Sequence, residues 1–336
     1  MMDWKFATTL IGSMPFSEPG DALKKILDGR VECPSWPQLS RGIKESMYVQ
    51  TGAHLPGLRI SGDKVFVDLD DYDPTDVYEA IISEDEEFFK PPEKCHTGFY
   101  GLLGNDVSRF RAVKGQVTGP ISEGLQIQDV NGRSVIYDET YGEIVRKSVC
   151  MTARWQAHRL MKANDCVIMF FDEPSLSLLG SPFAQISEDD AVDWLNEAMD
   201  GVEGYRAVHC CGNTDWGMVL RTKLDILSFD AYNYSGNLAL YAEDLKAFMD
   251  RGGALSWGIV PNREEDLRKE TVRSLCAKLE NAVDKLQSKG LDKNQIARRS
   301  LLTPQCGLDG LSPEAVDSVL DLLSGVSREM KRRYGF

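Results

Sequence analysis

The sequence predicts an α/β fold, specifically a (β/α)8 TIM barrel with loop and hairpin insertions. Apolar runs rich in β-branched residues alternate with amphipathic stretches along all 336 residues. Strands of this nearly continuous apolar kind are typical of a parallel sheet that helices cover on both faces. No linker rich in proline, glycine or serine interrupts the chain, so residues 1–336 are predicted to form a single domain.

Strands are predicted where an apolar run ends in polar residues and glycine. Seven such runs occur, over 6–15, 110–120, 166–174, 205–213, 225–232, 253–261 and 300–308. The eighth strand that a closed barrel requires is expected within the irregular region 50–75. Apolar residues at helical spacing predict helices between the strands, over 189–202, 241–252 and 272–290.

Two insertions interrupt the alternation of strands and helices. The acidic segment 83–94, SEDEEFFKPPEK, is expected to be a solvated loop. In the segment 125–139, Asn131 and Gly132 lie between alternating apolar residues, which is the pattern of a β-hairpin. Because this segment follows a predicted strand, the hairpin is expected to project from the face where the strands end, as a partial lid.

The charge and the apolar content exclude several classes of protein. Thirty-eight Lys and Arg stand against 52 Asp and Glu, and the net charge of −14 argues against a nucleic acid or an anionic membrane as partner. No run approaches the ~18 consecutive apolar residues that a membrane span needs. The first residues lack the basic lead and apolar stretch of a secretory signal, so a cytoplasmic location is expected.

Eight cysteines occur without any C-x-x-C spacing. Disulfides are therefore not expected, and the thiols should either fill the core or bind a metal. Five of them have no matching partner residues and are expected to be structural, namely Cys33, Cys95, Cys150, Cys166 and Cys276.

The stretch VHCCGN ends one of the predicted strands and contains one of only four histidines. Side chains alternate in direction along a strand, so His209 and Cys211 should share one face while Cys210 packs on the other. A lone His-x-Cys is more often core than metal site. Cys306 and Asp230, however, end two other predicted strands, and strand ends converge on one mouth of a barrel. One histidine and two thiolates, with an oxygen donor or an open position, suit zinc.

A further strand end, FFDEP, carries Asp172 and Glu173. The two side chains should point to opposite sides of the strand, so at most one faces the barrel centre. Such acids either bind a substrate ammonium or move a proton, or they lie at a helix N-terminus, where the helix dipole favours them. The sequence leaves these alternatives open.

Several of these motifs together resemble one known family. TLIGSMP, VKGQVTGP, FFDEP, HCCGN, ILSFD and PQCGL occur in the order seen in cobalamin-independent methionine synthases. From about residue 6 to about residue 310 the chain resembles the catalytic C-terminal barrel of that family, in its short, single-barrel form. The H-x-C motif also resembles zinc methyltransferases that act between corrinoid proteins and coenzyme M. Those enzymes share a superfamily with uroporphyrinogen decarboxylase, which lacks this thiolate set.

The resemblance implies a zinc cofactor with His209, Cys211 and Cys306 as ligands. Asp230 falls where the family has a glutamate ligand, and because aspartate is one methylene shorter, its direct coordination is left open. Asp172 and Asp230 are the acids that the resemblance places at the reacting centre. Asn213 and Asp215 are candidates for residues that contact the metal ligands without binding the metal themselves.

The resemblance also implies a binding site for homocysteine. Ile11, Gly12 and Ser13 match the run that holds the homocysteine carboxylate through backbone and hydroxyl donors. Asp172 matches the acid that binds the homocysteine ammonium. Glu45 is a weak candidate for a second acid of this kind.

The implied activity is zinc-dependent methyl transfer to the thiol of homocysteine, which makes methionine. Full-length members of the family carry a second barrel and use a polyglutamylated methyltetrahydrofolate. This sequence has no evident basic cluster for a polyglutamate tail, so a methylcorrinoid, either methylcobalamin or a corrinoid protein, is the expected donor. The alternatives are coenzyme M or another thiol as acceptor, methyltetrahydrofolate as donor, or a metal-free decarboxylase-like or binding barrel.

Overall fold

The computed structural model describes residues 2–39, 42–62 and 64–336. The strands are β1 (Ala7–Thr8), β2 (Leu58–Ser61), β3 (Lys64–Val67), β4 (Val113–Thr118), β5 (Gln128–Asp129), β6 (Val167–Asp172), β7 (Tyr205–Cys210), β8 (Ile226–Phe229), β9 (Ala254–Val260) and β10 (Ser300–Pro304). The helices are α1 (Pro19–Ile26), α2 (Met47–Thr51), α3 (Thr75–Ile82), α4 (Thr97–Leu103), α5 (Pro120–Gln126), α6 (Glu139–Met161), α7 (Glu188–Ala198), α8 (Trp216–Leu220), α9 (Ala231–Tyr234), α10 (Ala242–Asp250), α11 (Glu264–Leu267), α12 (Val272–Ser288), α13 (Lys293–Arg298) and α14 (Pro313–Tyr334).

A curled parallel sheet of seven strands forms the centre, in the order β1-β10-β9-β8-β7-β6-β4. Each of the seven predicted strands is present inside its predicted bounds. β4, β6, β8, β9 and β10 are buried along their whole length, as expected for strands covered on both faces. The three predicted helices are α7, α10 and α12. The α/β class is confirmed, and all the carboxyl ends of these strands lie at one edge.

The prediction of an eighth strand within 50–75 is wrong for the described residues. β2 and β3 pair antiparallel there and join β5 in a separate three-stranded sheet. The space between β1 and β4 is instead occupied by residues 32–38. The Cys33 N–H donates to the Thr8 carbonyl at 2.9 Å, and the Lys114 N–H donates to the Pro34 carbonyl at 2.8 Å.

Residues 32–38 form isolated bridges rather than a regular strand. Pro34 and Pro37 supply the reason, because proline has no N–H to donate to a ladder. This segment therefore bonds to both edge strands at a few points only.

The hairpin predicted around Asn131 and Gly132 is present as a tight turn. The Asp129 N–H donates to the Arg133 carbonyl at 2.8 Å, and Gly132 has a φ of +82°, which glycine adopts readily. Gln128 also pairs antiparallel with Ser134. The turn follows α5, and its first strand, β5, pairs with β3 in the three-stranded sheet.

The expectation of a solvated loop over 83–94 is wrong in part. Residues Glu86–Phe89 form a 3-10 helix, and Phe89 is fully buried. Glu86 accepts from Arg154 Nε at 2.9 Å, and Glu87 accepts from Trp155 Nε1 at 3.0 Å. Glu86 and Glu87 thus pair with helix α6, while Glu84, Asp85 and Glu87 remain exposed to solvent as expected.

The remaining sequence expectations concern cysteines and membranes. All eight thiols are free, and Cys33, Cys95, Cys150 and Cys276 are buried. Cys166 is half-buried. Among the described residues, no helix combines the length and the apolar content that crossing a membrane requires.

Candidate metal centre

Three potential metal ligands meet at the carboxyl edge of the central sheet. His209 is near the end of β7, Cys211 directly follows β7, and Cys306 follows β10. One nitrogen of His209 and the two sulfur atoms all lie within 4.8 Å of one another. Within the described part of the chain, this is the one such cluster of histidine, cysteine or acidic residues.

The neighbouring thiol of Cys210 takes no part in this cluster. Its side chain is fully buried in the hydrophobic core, and its sulfur lies 3.5 Å from the Gly212 carbonyl. Alternation of side chains along the strand therefore separates the two adjacent cysteines as expected.

His209 has the properties of a metal-binding imidazole. Its Nδ1 lies 3.0 Å from Ser228 Oγ, and its Nε2 is buried with no hydrogen-bond partner among the residues described. Burial, together with the positive charge of Lys114, lowers the pKa of His209 to about 3, so the ring is neutral. With Nδ1 donating to Ser228, Nε2 presents its lone pair to the cluster.

The two thiols of the cluster share a hydrogen bond. The bond from the Cys306 thiol lowers the pKa of Cys211 to about 7, while the same bond and burial raise the pKa of Cys306. A neutral imidazole nitrogen with one readily formed thiolate and a second thiol is the donor set that zinc prefers. The residues present therefore fit a zinc ion held by three protein ligands, with a fourth position left for a substrate.

Asp230 has different partners. Its Oδ1 accepts from the Asn233 N–H at 2.9 Å, and its Oδ2 accepts from Asn233 Nδ2 at 2.7 Å and from Gln305 Nε2 at 3.0 Å. Asp230 thus caps the N-terminus of α9. The structure does not bring this carboxylate into the group of three ligands.

Asp172 and Glu173 point in different directions from the end of β6. Asp172 is 8% exposed, its Oδ1 lacks a hydrogen-bond partner in the described structure, and burial raises its pKa to about 6 against the opposing effect of Lys114. Glu173 accepts from the N–H groups of Ile121 at 2.9 Å and Ser122 at 2.7 Å. Asp172 is therefore the acid near the cluster. Glu173 instead accepts hydrogen bonds from N–H groups at the N-terminus of α5.

The run Ile11–Ser13 lies against the loop that carries Cys306. Ser13 Oγ donates to Asp309 Oδ1 at 3.0 Å, and its carbonyl accepts from the Leu308 N–H at 2.9 Å. A Cβ on Gly307 would lie 1.7 Å from Ser13 Oγ, so this close approach requires glycine.

The other residues singled out from the sequence make local contacts. Glu45 accepts from Thr97 Oγ1 at 3.0 Å. Asn213 Oδ1 accepts from Asn237 Nδ2 at 3.0 Å, and Asp215 caps α8. In the described structure, none of these hydrogen bonds reaches the candidate ligands.

Two buried charged residues near the cluster were missed by sequence reasoning. Lys114 of β4 is fully buried, and Glu123 of α5 is fully buried with neither carboxyl oxygen bonded within the described chain. Burial and the nearby Glu173 raise the pKa of Glu123 well above its usual value. The neighbouring Thr118 hydroxyl could lower this pKa only by donating a hydrogen bond to the carboxyl group. That hydroxyl itself donates to the Met47 carbonyl at 3.0 Å, so it supplies Glu123 with no proton. The sequence signal that could have identified Lys114 and Glu123 is a charged residue within an apolar run.

A cavity of about 610 Å³ opens between the three-stranded sheet, the turn at residues 130–132 and the residues around the start of α2. Tyr48, Phe66 and Gln126 contribute to its walls. Burial raises the pKa of Tyr48 to about 12, and Glu123, Glu173 and Cys211 add to this shift. Tyr48 therefore belongs to the cavity wall and lies within electrostatic reach of Cys211.

Comparison with known proteins shows similarity of structure only. No family model and no curated relative matches the sequence. A B12-independent methionine synthase from Shewanella sp. W3-18-1, solved in complex with selenomethionine, is similar with a TM-score of 0.58 and 16% identity over 98% of each chain. A methyltransferase from Methanosarcina mazei has a TM-score of 0.63 and 14% identity, covering 98% of this chain and 94% of its own. The chain therefore shares the fold of these enzymes.

Proposed function

We propose that this chain is a zinc-dependent methyltransferase that makes methionine by moving a methyl group to the thiol of homocysteine. The observation that carries the proposal is the group of His209, Cys211 and Cys306 at the carboxyl edge of the sheet, where the buried His209 Nε2 has no hydrogen-bond partner among the described residues. The fold shared with a methionine synthase solved with selenomethionine supports the same acceptor. Closure into a (β/α)8 barrel, with residues 32–38 in the eighth position, belongs to this proposal.

A zinc ion held by these three residues would lower the pKa of the acceptor thiol, so that the thiol reacts as a thiolate at neutral pH. The chain's own residues bind and orient the acceptor. Asp172 Oδ1 accepts from the acceptor ammonium, and the backbone of Ile11 and Gly12 holds its carboxylate, together with the Ser13 hydroxyl once this hydroxyl turns from Asp309. Fixing sulfur and methyl group in line contributes several kcal/mol to lowering the barrier.

The unpaired oxygen of Asp172 favours an amino acid as acceptor. Coenzyme M ends in a sulfonate and has no ammonium, so it would leave Asp172 Oδ1 without a donor. The proposed donor is a methylcorrinoid, because the chain shows no evident basic cluster for a polyglutamate tail and has a net charge of −14.

The test combines metal analysis with a methyl-transfer assay. Zinc-loaded protein receives homocysteine with methylcobalamin or with methyltetrahydrofolate, and coenzyme M replaces homocysteine in a parallel series. The proposal expects about one zinc per chain and methionine from methylcobalamin, with both lost in Cys306→Ser. Cys210→Ser is the matched control, since Cys210 is a neighbouring thiol outside the cluster.

Each other outcome changes one part of the proposal. Methionine from the folate alone would replace the donor, and methylation of coenzyme M alone would replace the acceptor. Wild-type protein that binds no zinc would refute the metal centre and leave the thiols as core residues.

A further inference from the structure

Lys114 is a buried cation beneath the candidate metal centre, and the proposed function gives it no role. Its side chain is fully buried, and its Nζ donates to the Ile11 carbonyl at 2.5 Å and to Gln116 Oε1 at 3.1 Å. The same ammonium lies 4.3 Å from the centroid of the Phe170 ring. Burying a charge is unfavourable by several kcal/mol unless it is paired, so a core position of this kind is usually apolar.

The ammonium of Lys114 is also part of the electrostatics of the site. It lies close enough to affect both Asp172 and His209, opposing the neutral form of the acid and the charged form of the imidazole. No hydrogen bond between Lys114 and Asp172 is present in the described structure, and Asp172 Oδ1 stays unpaired. Lys114 thus compensates the charge of the acid without occupying its free oxygen.

Gln116, two residues further along β4, contacts Gly12, the residue that follows Ile11. Gln116 Nε2 donates to the Trp36 carbonyl at 3.1 Å, and a Cβ on Gly12 would lie 2.5 Å from that nitrogen. Gly12 has a φ of +147°, in the region that favours glycine. Lys114 therefore bonds to the Ile11 carbonyl, and Gln116 packs against Gly12 on the other side of the same peptide bond.

A peptide held in this way has a fixed orientation. In a trans peptide the carbonyl and the N–H point in opposite directions. Because the Ile11 carbonyl is drawn to Lys114, the Gly12 N–H turns away from Lys114. This N–H belongs to the run proposed to hold the acceptor carboxylate.

We propose that Lys114 and Gln116 are positioning residues that orient the Ile11–Gly12 peptide and thereby set the affinity for an amino-acid acceptor. Neither residue touches the acceptor. This inference rests on the proposed function, because it presumes that residues 11–13 hold a carboxylate.

The experiment uses zinc-loaded full-length protein and methionine as the probe, with the dissociation constant measured by calorimetry. Lys114→Met is expected to raise this constant about tenfold or more, the loss expected when a charged hydrogen-bond donor is removed. Zinc content should stay at the wild-type value, and Lys114→Arg should recover part of the affinity. In the methyl-transfer assay, the KM for homocysteine should rise by a larger factor than kcat falls.

The matched control is Lys278→Met. Lys278 also lies over an aromatic ring, 3.8 Å from the centroid of Tyr232, and pairs with Glu270 at 2.8 Å, but it is on α12 and away from the site. The Lys278→Met variant should bind methionine with the dissociation constant of the wild type. If Lys114→Met does not fold, Gln116→Met decides, with an expected severalfold loss of affinity at unchanged zinc content.

The outcomes distinguish failure of the proposed function from failure of the positioning role. Wild-type protein that binds neither methionine nor homocysteine refutes the proposed function. Wild-type protein that binds methionine, with folded Lys114→Met and Gln116→Met variants that bind it equally well, refutes the positioning role and leaves the proposed function standing.

Discussion

Glu123 should make the stability of this protein depend on pH in a way that a single substitution reveals. The carboxyl group is fully buried, and neither oxygen has a hydrogen-bond partner in the part of the chain described. Burial raises the pKa of Glu123 well above its usual value, and the nearby Glu173 adds to the shift. The native state therefore keeps a proton on Glu123 at pH values where the unfolded chain has released it.

The sign and size of the effect follow from this difference in bound protons. Above a pH of about 4.5 the unfolded state loses the proton and the native state does not, so rising pH favours unfolding. One retained proton changes the free energy of unfolding by about 1.4 kcal/mol per pH unit. Over the pH range in which only the native state keeps this proton, the wild type should thus lose up to about 1.4 kcal/mol per pH unit relative to Glu123→Gln.

Urea unfolding under reducing conditions at several pH values measures this difference. Glu173, whose pKa is raised to about 7 by burial, contributes in the same direction, but it is present in both proteins and cancels in the comparison. Glu243→Gln, at an exposed site in the first turn of α10, is the control and should leave the slope unchanged. Equal slopes for wild type and Glu123→Gln would show that Glu123 is ionised in the native state, and the reasoning from burial would fail.

Three further substitutions test separate parts of the structure. Ser228→Ala removes the partner of His209 Nδ1 and should weaken zinc binding about 10- to 100-fold in a chelator competition, with unchanged affinity counting against the orienting role of Ser228. In Gly307→Ala the new Cβ would lie 1.7 Å from Ser13 Oγ and forces this hydroxyl away, so the KM for homocysteine should rise. An unaltered KM would show that Ser13 takes no part in acceptor binding. Phe89→Ala should lower the free energy of unfolding by about 3–5 kcal/mol in urea titration, whereas a loss below about 1 kcal/mol would mean that the segment around it is not firmly docked.

Sequence patterns were sufficient for those parts of the fold that repeat a simple rule. Apolar runs predicted all seven strands of the central sheet, and the alternation of side chains distinguished Cys211 from Cys210. The meeting of His209 with Cys306 also followed, since parallel strands bring their carboxyl ends to one edge. These inferences need only periodicity and topology.

The rest depends on contacts that a sequence does not display. Residues 32–38 were overlooked because two prolines prevent a regular ladder, yet their remaining backbone groups still bond to both edges. Asp230 follows a strand as a ligand would, but its oxygens cap a helix whose start was not predicted. Lys114 and Glu123 look like surface residues in a one-dimensional pattern, because only the packed structure shows that their charges are buried.

The pairing of β1 with β10 has a consequence for the order of folding. Strands β6 to β9 each pair with the strand that follows or precedes them in the chain, so this part of the sheet can grow as successive units form. Ala7 and Thr8, in contrast, pair with Leu301 and Leu302, and within the described residues β1 forms a regular ladder with β10 alone. Contacts of such long sequence separation form late, since the loop that they close is entropically unfavourable. We therefore expect the loop of Ile11–Ser13 and the thiol of Cys306 to come together late in folding, after His209 and Cys211 have been brought close by their own strand.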